Sequence, residues 1–196
     1  MRILVVFCHP DKTSFASALH EAVREGLTAS GHDLMDLDLY REGFDPILGL
    51  KERAIYGDAT AYFQAFEKYA AQLASAEAII LVYPAWWYGM PAMLKGYFDK
   101  VWAPGIAYDV TADGTVDTSR LAHIRRIAVV TTYGAAWWFI RGFMGDPTRK
   151  VFVRGVRHLC GRGCSVEWHV LYNMNTPEPK RLARFIARLR SRMAQW

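Results

Sequence analysis

Ile3-Leu4-Val5-Val6-Phe7-Cys8 runs without a charged or hydroxyl side chain into His9-Pro10-Asp11-Lys12-Thr13. Ser14 then opens a stretch with Phe15, Leu19, Val23 and Leu27 at intervals of four. A continuous apolar run with β-branched residues marks a strand buried on both faces. The four-residue interval marks a helix with one apolar stripe, which Gly31 ends. A doubly buried strand that feeds a helix through a short loop is the first half of a parallel β-α-β unit.

Working outward, the alternation repeats. Asp33–Leu39 reads as a second, less buried strand, and residues 40–58, with Gly43, Pro46, Gly49 and Gly57, as a long connection. Thr60–Ala76 is expected to be one helix. Ala78–Tyr83 is another deeply buried strand, stopped by Pro84, and Pro91–Trp102 a helix with proline in its first turn. Residues 104–123 suggest a hairpin-like excursion around Asp113-Gly114. Ile124–Thr132 is a third buried strand, residues 133–163 mix loop and helix, Ser165–Leu171 is a last strand, and Pro177–Met193 a closing helix. The pattern predicts an α/β fold, a flavodoxin-like doubly wound five-stranded parallel sheet with strand order 2-1-3-4-5.

Length and composition agree with one domain over residues 1–196, since no repeat, linker or shift in patterning divides the 196 residues. A chain of this size buries roughly 70% of its unfolded surface, so disulfides and metals are dispensable. Cys8, Cys160 and Cys164 form no metal-ligand pattern, and their odd number suits a reducing compartment. Arg2–Phe7 reads as a strand rather than a signal segment. The longest apolar stretch, Ala78–Tyr88, is shorter than the ~18 residues that span a bilayer. A cytoplasmic location is the expectation.

Charge is unevenly placed. The formal net charge is +5, but residues 141–196 hold 12 Lys and Arg against 3 Asp and Glu. A basic third can attract nucleic acid, acidic lipid or nucleotide phosphates. The plainer alternative along Lys180–Arg192 is a solvated helix face. No nucleic-acid module accompanies it, so no nucleic-acid partner is expected. Aromatic residues reach 14%, with 7 Trp, 10 Tyr and 10 Phe, and composition alone does not divide them among core, interface and ligand site.

An open parallel sheet binds ligands at the carboxyl ends of its strands where the strand order reverses, here between the first and third. Three loops meet there. His9-Pro10-Asp11-Lys12-Thr13-Ser14-Phe15 holds no glycine and is therefore no dinucleotide fingerprint. It offers a histidine, the Thr13 and Ser14 hydroxyls and a helix N-terminus, which together suit a phosphate; the alternative is that Ser14 only caps the helix. Tyr83-Pro84-Ala85-Trp86-Trp87-Tyr88-Gly89-Met90-Pro91 sets three adjacent aromatics between prolines, with Gly89 free to adopt positive φ or allow close approach. Large flat side chains on a stiff backbone suit a planar heterocycle, a subunit interface, or both. Thr131-Thr132-Tyr133-Gly134 offers hydroxyls and free amides to negative charge on a reduced ring, or is a plain strand-end turn.

These three loops resemble those of the NAD(P)H:quinone oxidoreductases of flavodoxin-like fold, a group that includes quinone reductases, modulators of drug activity and ancillary proteins of potassium-efflux systems. The match runs through His9-Pro10…Thr13-Ser14-Phe15, through Pro84 to Val101 with Trp87-Tyr88-Gly89-Met90-Pro91-Ala92-Met93-Leu94-Lys95-Gly96 at its centre, and through Thr131-Thr132-Tyr133-Gly134. The resemblance implies a tightly bound flavin, FMN or FAD. Its phosphate would lie on His9, Ser14, Phe15, Ala16 and Ser17, one ring edge on Pro84, Ala85, Trp86, Trp87 and Tyr88, and the other on Thr131, Thr132, Tyr133 and Gly134. It also implies a homodimer with sites at the subunit boundary. Mammalian members carry Thr-Thr-Gly-Gly followed by a relay tyrosine and histidine; here Tyr133 replaces the first glycine, and the relay positions fall on Trp138 and Met144.

The expected activity is ping-pong hydride transfer from NAD(P)H as co-substrate, through flavin N5, to a quinone or similar flat acceptor. Tyr133 and Trp138 are the expected catalytic residues; Trp86, Trp87 and the Trp137-Trp138-Phe139 cluster join them on the substrate face. A rival from another class is a nucleotide- or redox-sensing regulatory subunit, associated peripherally with a membrane potassium-efflux transporter through the basic carboxyl-terminal third.

Overall fold

β1 (Arg2–Phe7) lies inside the sheet with a parallel neighbour on each side, in a computed structural model that describes residues 1–196. Ile3 stands opposite Leu34 on one side and Ala78 on the other. Around it the chain runs α1 (Phe15–Ala29), β2 (Asp33–Asp38), α2 (Leu50–Ile55), α3 (Ala59–Ala65), α4 (Glu67–Ser75), β3 (Ala78–Pro84) and α5 (Ala92–Val101). There follow the hairpin β4 (Tyr108–Val110) and β5 (Val116–Ser119), β6 (Arg126–Thr132), α6 (Pro147–Lys150), β7 (Ser165–Leu171) and α7 (Pro179–Met193). The five-stranded sheet has the order β2-β1-β3-β6-β7 with every pair parallel. That is the expected 2-1-3-4-5 once the separate hairpin is set aside.

The apolar strands are explained by what covers them. Ile3, Val5, Phe7, Ile80, Val82 and Val130 pack beneath α1 and α7, and Leu4, Val6, Ile79, Leu81 and Val129 pack on the opposite face against α4 and α5. Each such side chain stabilises by roughly 1.5–3 kcal/mol relative to exposure. Alternation within a strand therefore builds two cores, and a polar residue on either face of β1 would sit in one of them. No helix is long and apolar enough to cross a membrane.

The helix expected over Thr60–Ala76 is two. Asp58 caps α3 by accepting from the Thr60 and Ala61 amides, and the backbone leaves helical geometry at Phe66. Tyr62, Phe66, Ala70 and Leu73 all stay buried, so the apolar stripe survives a break that no glycine or proline announces. Residues 40–58 contain the short α2 and are tied to α5 by a buried lysine. Lys100 Nζ lies 2.9 Å from Glu52 Oε1 and 3.0 Å from the Ile47 carbonyl, which it reaches as a donor. The Lys100 hydrogen bond holds the Glu52 carboxyl below its usual range.

One turn earlier on α5, Gly96 lets this connection lie directly on the helix, because a Cβ there would be 2.2 Å from the Pro46 carbonyl oxygen. Backbone cannot yield as a flexible side chain does. Gly96→Ala is expected to lower the free energy of unfolding by about 1–3 kcal/mol, despite alanine's better helix propensity, in urea titration. An unchanged midpoint would show that the connection is not seated on α5.

Candidate functional site

The aromatic loop leaves β3 as a tight turn. The Trp86 amide donates to the Gly89 carbonyl at 3.2 Å and the Gly89 amide to the Trp86 carbonyl at 3.0 Å. The positive φ values fall on Trp87 (48°) and Tyr88 (62°), the two central positions of a type I′ turn, and not on Gly89 as expected. A Cβ at Gly89 would meet ordinary contacts at 3.8 Å. Asn-Gly is the usual occupant of such a turn, and a left-handed L-residue costs roughly 1–2 kcal/mol. The arm after β6 helps hold the strained turn: the Thr148 hydroxyl donates to the Tyr88 carbonyl at 2.6 Å, and the Phe139 ring lies 5.8 Å from that of Tyr88. Trp87 itself is 95% exposed.

This turn and the loop after β6 wall a cleft of about 610 Å³, lined by residues 84–88 and 132–135 with Met174 and Asn175. Ala85 is fixed by donating to the Thr132 carbonyl at 2.9 Å. The main-chain amides of Trp87, Tyr88, Gly134 and Ala135 have no protein acceptor. Unpaired donors on two sides of an apolar cleft are what a planar ligand with acceptors along its edges requires. Met174 and Asn175 belong to the β7–α7 loop, and sequence reading did not include them. The Tyr133 amide donates to the Leu171 carbonyl, the Asn173 amide to Ala135 and the Met174 amide to Tyr133, at 2.9–3.0 Å. Gly134 makes room, since a Cβ there would be 2.4 Å from Asn175 Oδ1. The available signal was topological: every loop after a parallel strand ends on the same edge of the sheet.

The first loop reaches this cleft through His9, whose ring centroid is 5.9 Å from that of Trp86. Its hydroxyls are largely turned inward. Thr13 donates to Asp11 through both amide and hydroxyl at 2.7 Å, which holds the Asp11 carboxyl below its usual range. Ser14 caps α1 by accepting from the Ser17 amide at 3.1 Å, and the Ser17 hydroxyl donates to the Asp11 carbonyl at 2.8 Å. The Phe15 and Ala16 amides, in the first helical turn, are the donors left for an anion. Ser14 and Ser17 line a neighbouring groove with Lys12 rather than the cleft itself.

Two expected catalytic placements change. Trp138 is 60% exposed on the arm, packs on Phe139 at 5.9 Å and is not among the residues lining the cleft. Tyr133 lines it, but its ring stacks on Tyr172 at 5.7 Å and its hydroxyl is buried. Thr131 is also fully buried, so its hydroxyl does not meet a cleft ligand as expected. Both follow from strand parity, which carries Leu81, Tyr83, Val129, Thr131 and Tyr133 to one face of the sheet.

Beneath the cleft this parity creates a polar cluster. Tyr83 stands opposite Thr131, and the Tyr83, Thr131 and Tyr133 hydroxyls and Asp146 Oδ1 are buried without hydrogen-bond partners. Asp146 is 7% exposed and left-handed (φ 51°). Burial pushes its carboxyl up against the opposing pull of Arg149 and Arg141. Burial pushes the Tyr133 phenol to about 12 and Tyr83 well above the ordinary range. Unpaired buried polar groups cost roughly 1–3 kcal/mol each, so this layer is held by its surroundings.

Two outcomes follow. Trp87→Asn, at an exposed left-handed position, is expected to raise unfolding free energy by about 1 kcal/mol in urea titration; a loss would show the turn to be unstrained. For Asp146, the folded state holds the carboxyl proton more tightly than the unfolded chain. Its contribution to stability is therefore present below the ordinary value near 3.9 and is lost as pH rises through the raised folded value. In Asp146→Asn this fall should vanish, with stability at neutral pH higher by on the order of 1 kcal/mol. Parallel pH profiles of unfolding for the two proteins would contradict the assignment.

A family model described as flavodoxin-like fold matches residues 1–194. An uncharacterised NAD(P)H oxidoreductase of Escherichia coli, YcaK, is 32% identical over 108 residues, 55% of this chain and 55% of that protein. NAD(P)H dehydrogenase [quinone] 1 of Cavia porcellus is 28% identical over 179 residues, 82% of this chain and 64% of that one. The chain thus spans less than two thirds of either relative. Among solved structures, an NAD(P)H:quinone oxidoreductase from Methanothermobacter marburgensis superposes with a TM-score of 0.80 at 26% identity, covering all of this chain and 96% of the other.

Proposed function

This chain belongs to the flavodoxin-like fold family, and we propose that it is a flavin-dependent oxidoreductase that takes reducing equivalents from NAD(P)H and passes them to a quinone or a similarly flat acceptor. The observation that carries this reading is the cleft with unpaired amides at Trp87, Tyr88, Gly134 and Ala135 and the Trp86 indole beside it. An isoalloxazine ring presents acceptors along its edges and a flat face between them, which matches that lining. A phosphate would rest on the Phe15 and Ala16 amides at the positive end of α1, with Lys12 nearby. The printed names of the relatives support the same class of activity.

A bound flavin supplies the two-electron hydride chemistry. The chain's part is to hold and orient. The amides fix the ring along both edges and place positive dipole ends where negative charge gathers on reduction, without any side chain having to move. The strained aromatic turn is rigid before a ligand arrives, so orientation costs little on binding. The apolar lining excludes water from one face and leaves the other for a single flat substrate, so donor and acceptor take turns there. With the Tyr133 hydroxyl buried, the proton that accompanies hydride to a quinone is not handed over directly by that side chain.

The purified protein is expected to retain a flavin, seen in its visible absorption and identified by mass spectrometry after release, and to oxidise NAD(P)H when given a quinone. Trp86→Ala should lower flavin retention or turnover by roughly tenfold, the scale of one aromatic contact, while shifting unfolding by no more than about 0.5 kcal/mol. A protein that takes up no flavin on reconstitution and oxidises no NAD(P)H with any quinone would end this reading.

A further inference from the structure

Two of the three cysteines stand together at the edge of the sheet opposite the cleft. Cys160 ends the buried stripe of Phe152, Val156 and Cys160 in the segment between β6 and β7, and Cys164 directly precedes β7. The Gly161 amide donates to the Ile124 carbonyl at 3.0 Å and the Ser165 amide to that of Arg125 at 3.1 Å, which pins this stretch to the entry of β6. Between the two pins the chain turns. The Cys164 amide donates to the Gly161 carbonyl at 2.8 Å, and Gly163 takes the left-handed third position (φ 82°). Such a turn holds its ends within about 7 Å and so returns Cys164 beside Cys160.

Both side chains belong to one core cluster, Cys160 8% and Cys164 1% exposed, and their free thiols lie within hydrogen-bonding reach of each other. Their other acceptors, the Val156 and Ser165 carbonyls, are distant at 3.6 and 3.8 Å. The hydrogen bond from Cys160 and the charge of Arg157 pull the Cys164 thiol below its ordinary value against the effect of burial. The same bond, with burial, pushes Cys160 up. One sulfur is thus set as the nucleophilic thiolate while its neighbour holds the proton. Cys8 is the contrast: burial pushes its thiol to about 12, and no second thiol is among the groups that act on it. No group of three His, Cys, Asp or Glu side chains is placed to hold a metal, so the pair is not part of a metal site.

We propose that Cys160 and Cys164 are a modification site, converted by a hydroperoxide into a reversible disulfide within one chain. The Cys164 sulfur attacks a peroxide oxygen, the O–O bond breaks, and the sulfenic acid forms as the first water leaves with the thiol proton. The Cys160 sulfur then displaces the sulfenic hydroxyl, which leaves as a second water with the Cys160 proton. Two thiols lose two electrons and one hydrogen peroxide becomes two waters. Cys160 lines a cavity of about 380 Å³ with Gly161 and Gly163, which has room for an oxidant little larger than water. The reacting groups belong to one chain, so the outer face of the arm need not be uncovered. In a reducing compartment such a bond is transient, as a sensor requires. The proposal does not depend on the oxidoreductase reading.

The test is brief exposure of the full-length native protein to hydrogen peroxide, followed by alkylation in denaturant and tryptic mapping. Trypsin cuts at Arg162, between the two cysteines, so a disulfide joins the peptide of residues 158–162 to that of residues 163–180. The linked pair is expected, lighter than the two free peptides by two hydrogens, and dithiothreitol should separate it. Cys8 should be lost to alkylation at least about tenfold more slowly, the factor for one unit of thiol pKa. In Cys160→Ser, dimedone should label Cys164, and in Cys164→Ser the label on Cys160 should be about tenfold weaker. The reverse labelling would overturn Cys164 as the attacking sulfur. The map of the parent protein needs no variant, so it decides the proposal even where a serine variant misfolds. Both cysteines still alkylated once Cys8 is oxidised, a link between two chains, or a link formed only in denatured protein would overturn the proposal.

Discussion

A strand covered on both faces and flanked on both edges has no place for a polar side chain, and β1 meets all four conditions from Ile3 to Phe7. Its main-chain groups are paired with β2 and β3, while its side chains divide between the core under α1 and α7 and the core under α4 and α5. Because the pairing is parallel, the carboxyl ends of β1, β3 and β6 all reach the same edge of the sheet. The loops there receive a stiff platform, and the cleft forms among them.

That edge is built from main chain more than from side chains. The groups best placed to meet a ligand are four amides without acceptors, held by a turn whose central residues are bulky, aromatic and left-handed. Asn and Gly at those two positions would be less strained but would lack the Tyr88–Phe139 contact that ties the turn to its neighbours. Local strain and long-range contact are thus two sides of one arrangement. The arm supplies much of the compensation through Thr148.

Strand parity shapes the other half of the site. It turns Tyr83, Thr131 and Tyr133 away from solvent and leaves their hydroxyls, with Asp146, in an unsatisfied polar layer beneath the cleft. Such a layer lowers the local dielectric response available to compensate charge, so the Asp146 carboxyl resists ionisation even with arginines near it. The hydroxyls that appeared from their position after the strand to be ligand contacts are instead a structural layer supporting the loop.

Sequence patterns were enough to place the five sheet strands, their order and the edge where the candidate site lies, because unbroken apolar strands and a four-residue helical stripe are local signals; they showed neither α2 nor the break at Phe66 that separates α3 from α4. His9, Trp86 and Gly134 were legible as candidate-site residues for the same reason: they follow strands that could only be buried. Tertiary structure alone decided which atoms face the cleft. The positive φ fell on Trp87 and Tyr88 instead of Gly89, the Tyr133 hydroxyl went inward, Trp138 went outward, and Met174 and Asn175 joined from the β7–α7 loop. Those outcomes depend on register, parity and contacts between loops, which are long-range quantities that no window of neighbouring residues contains.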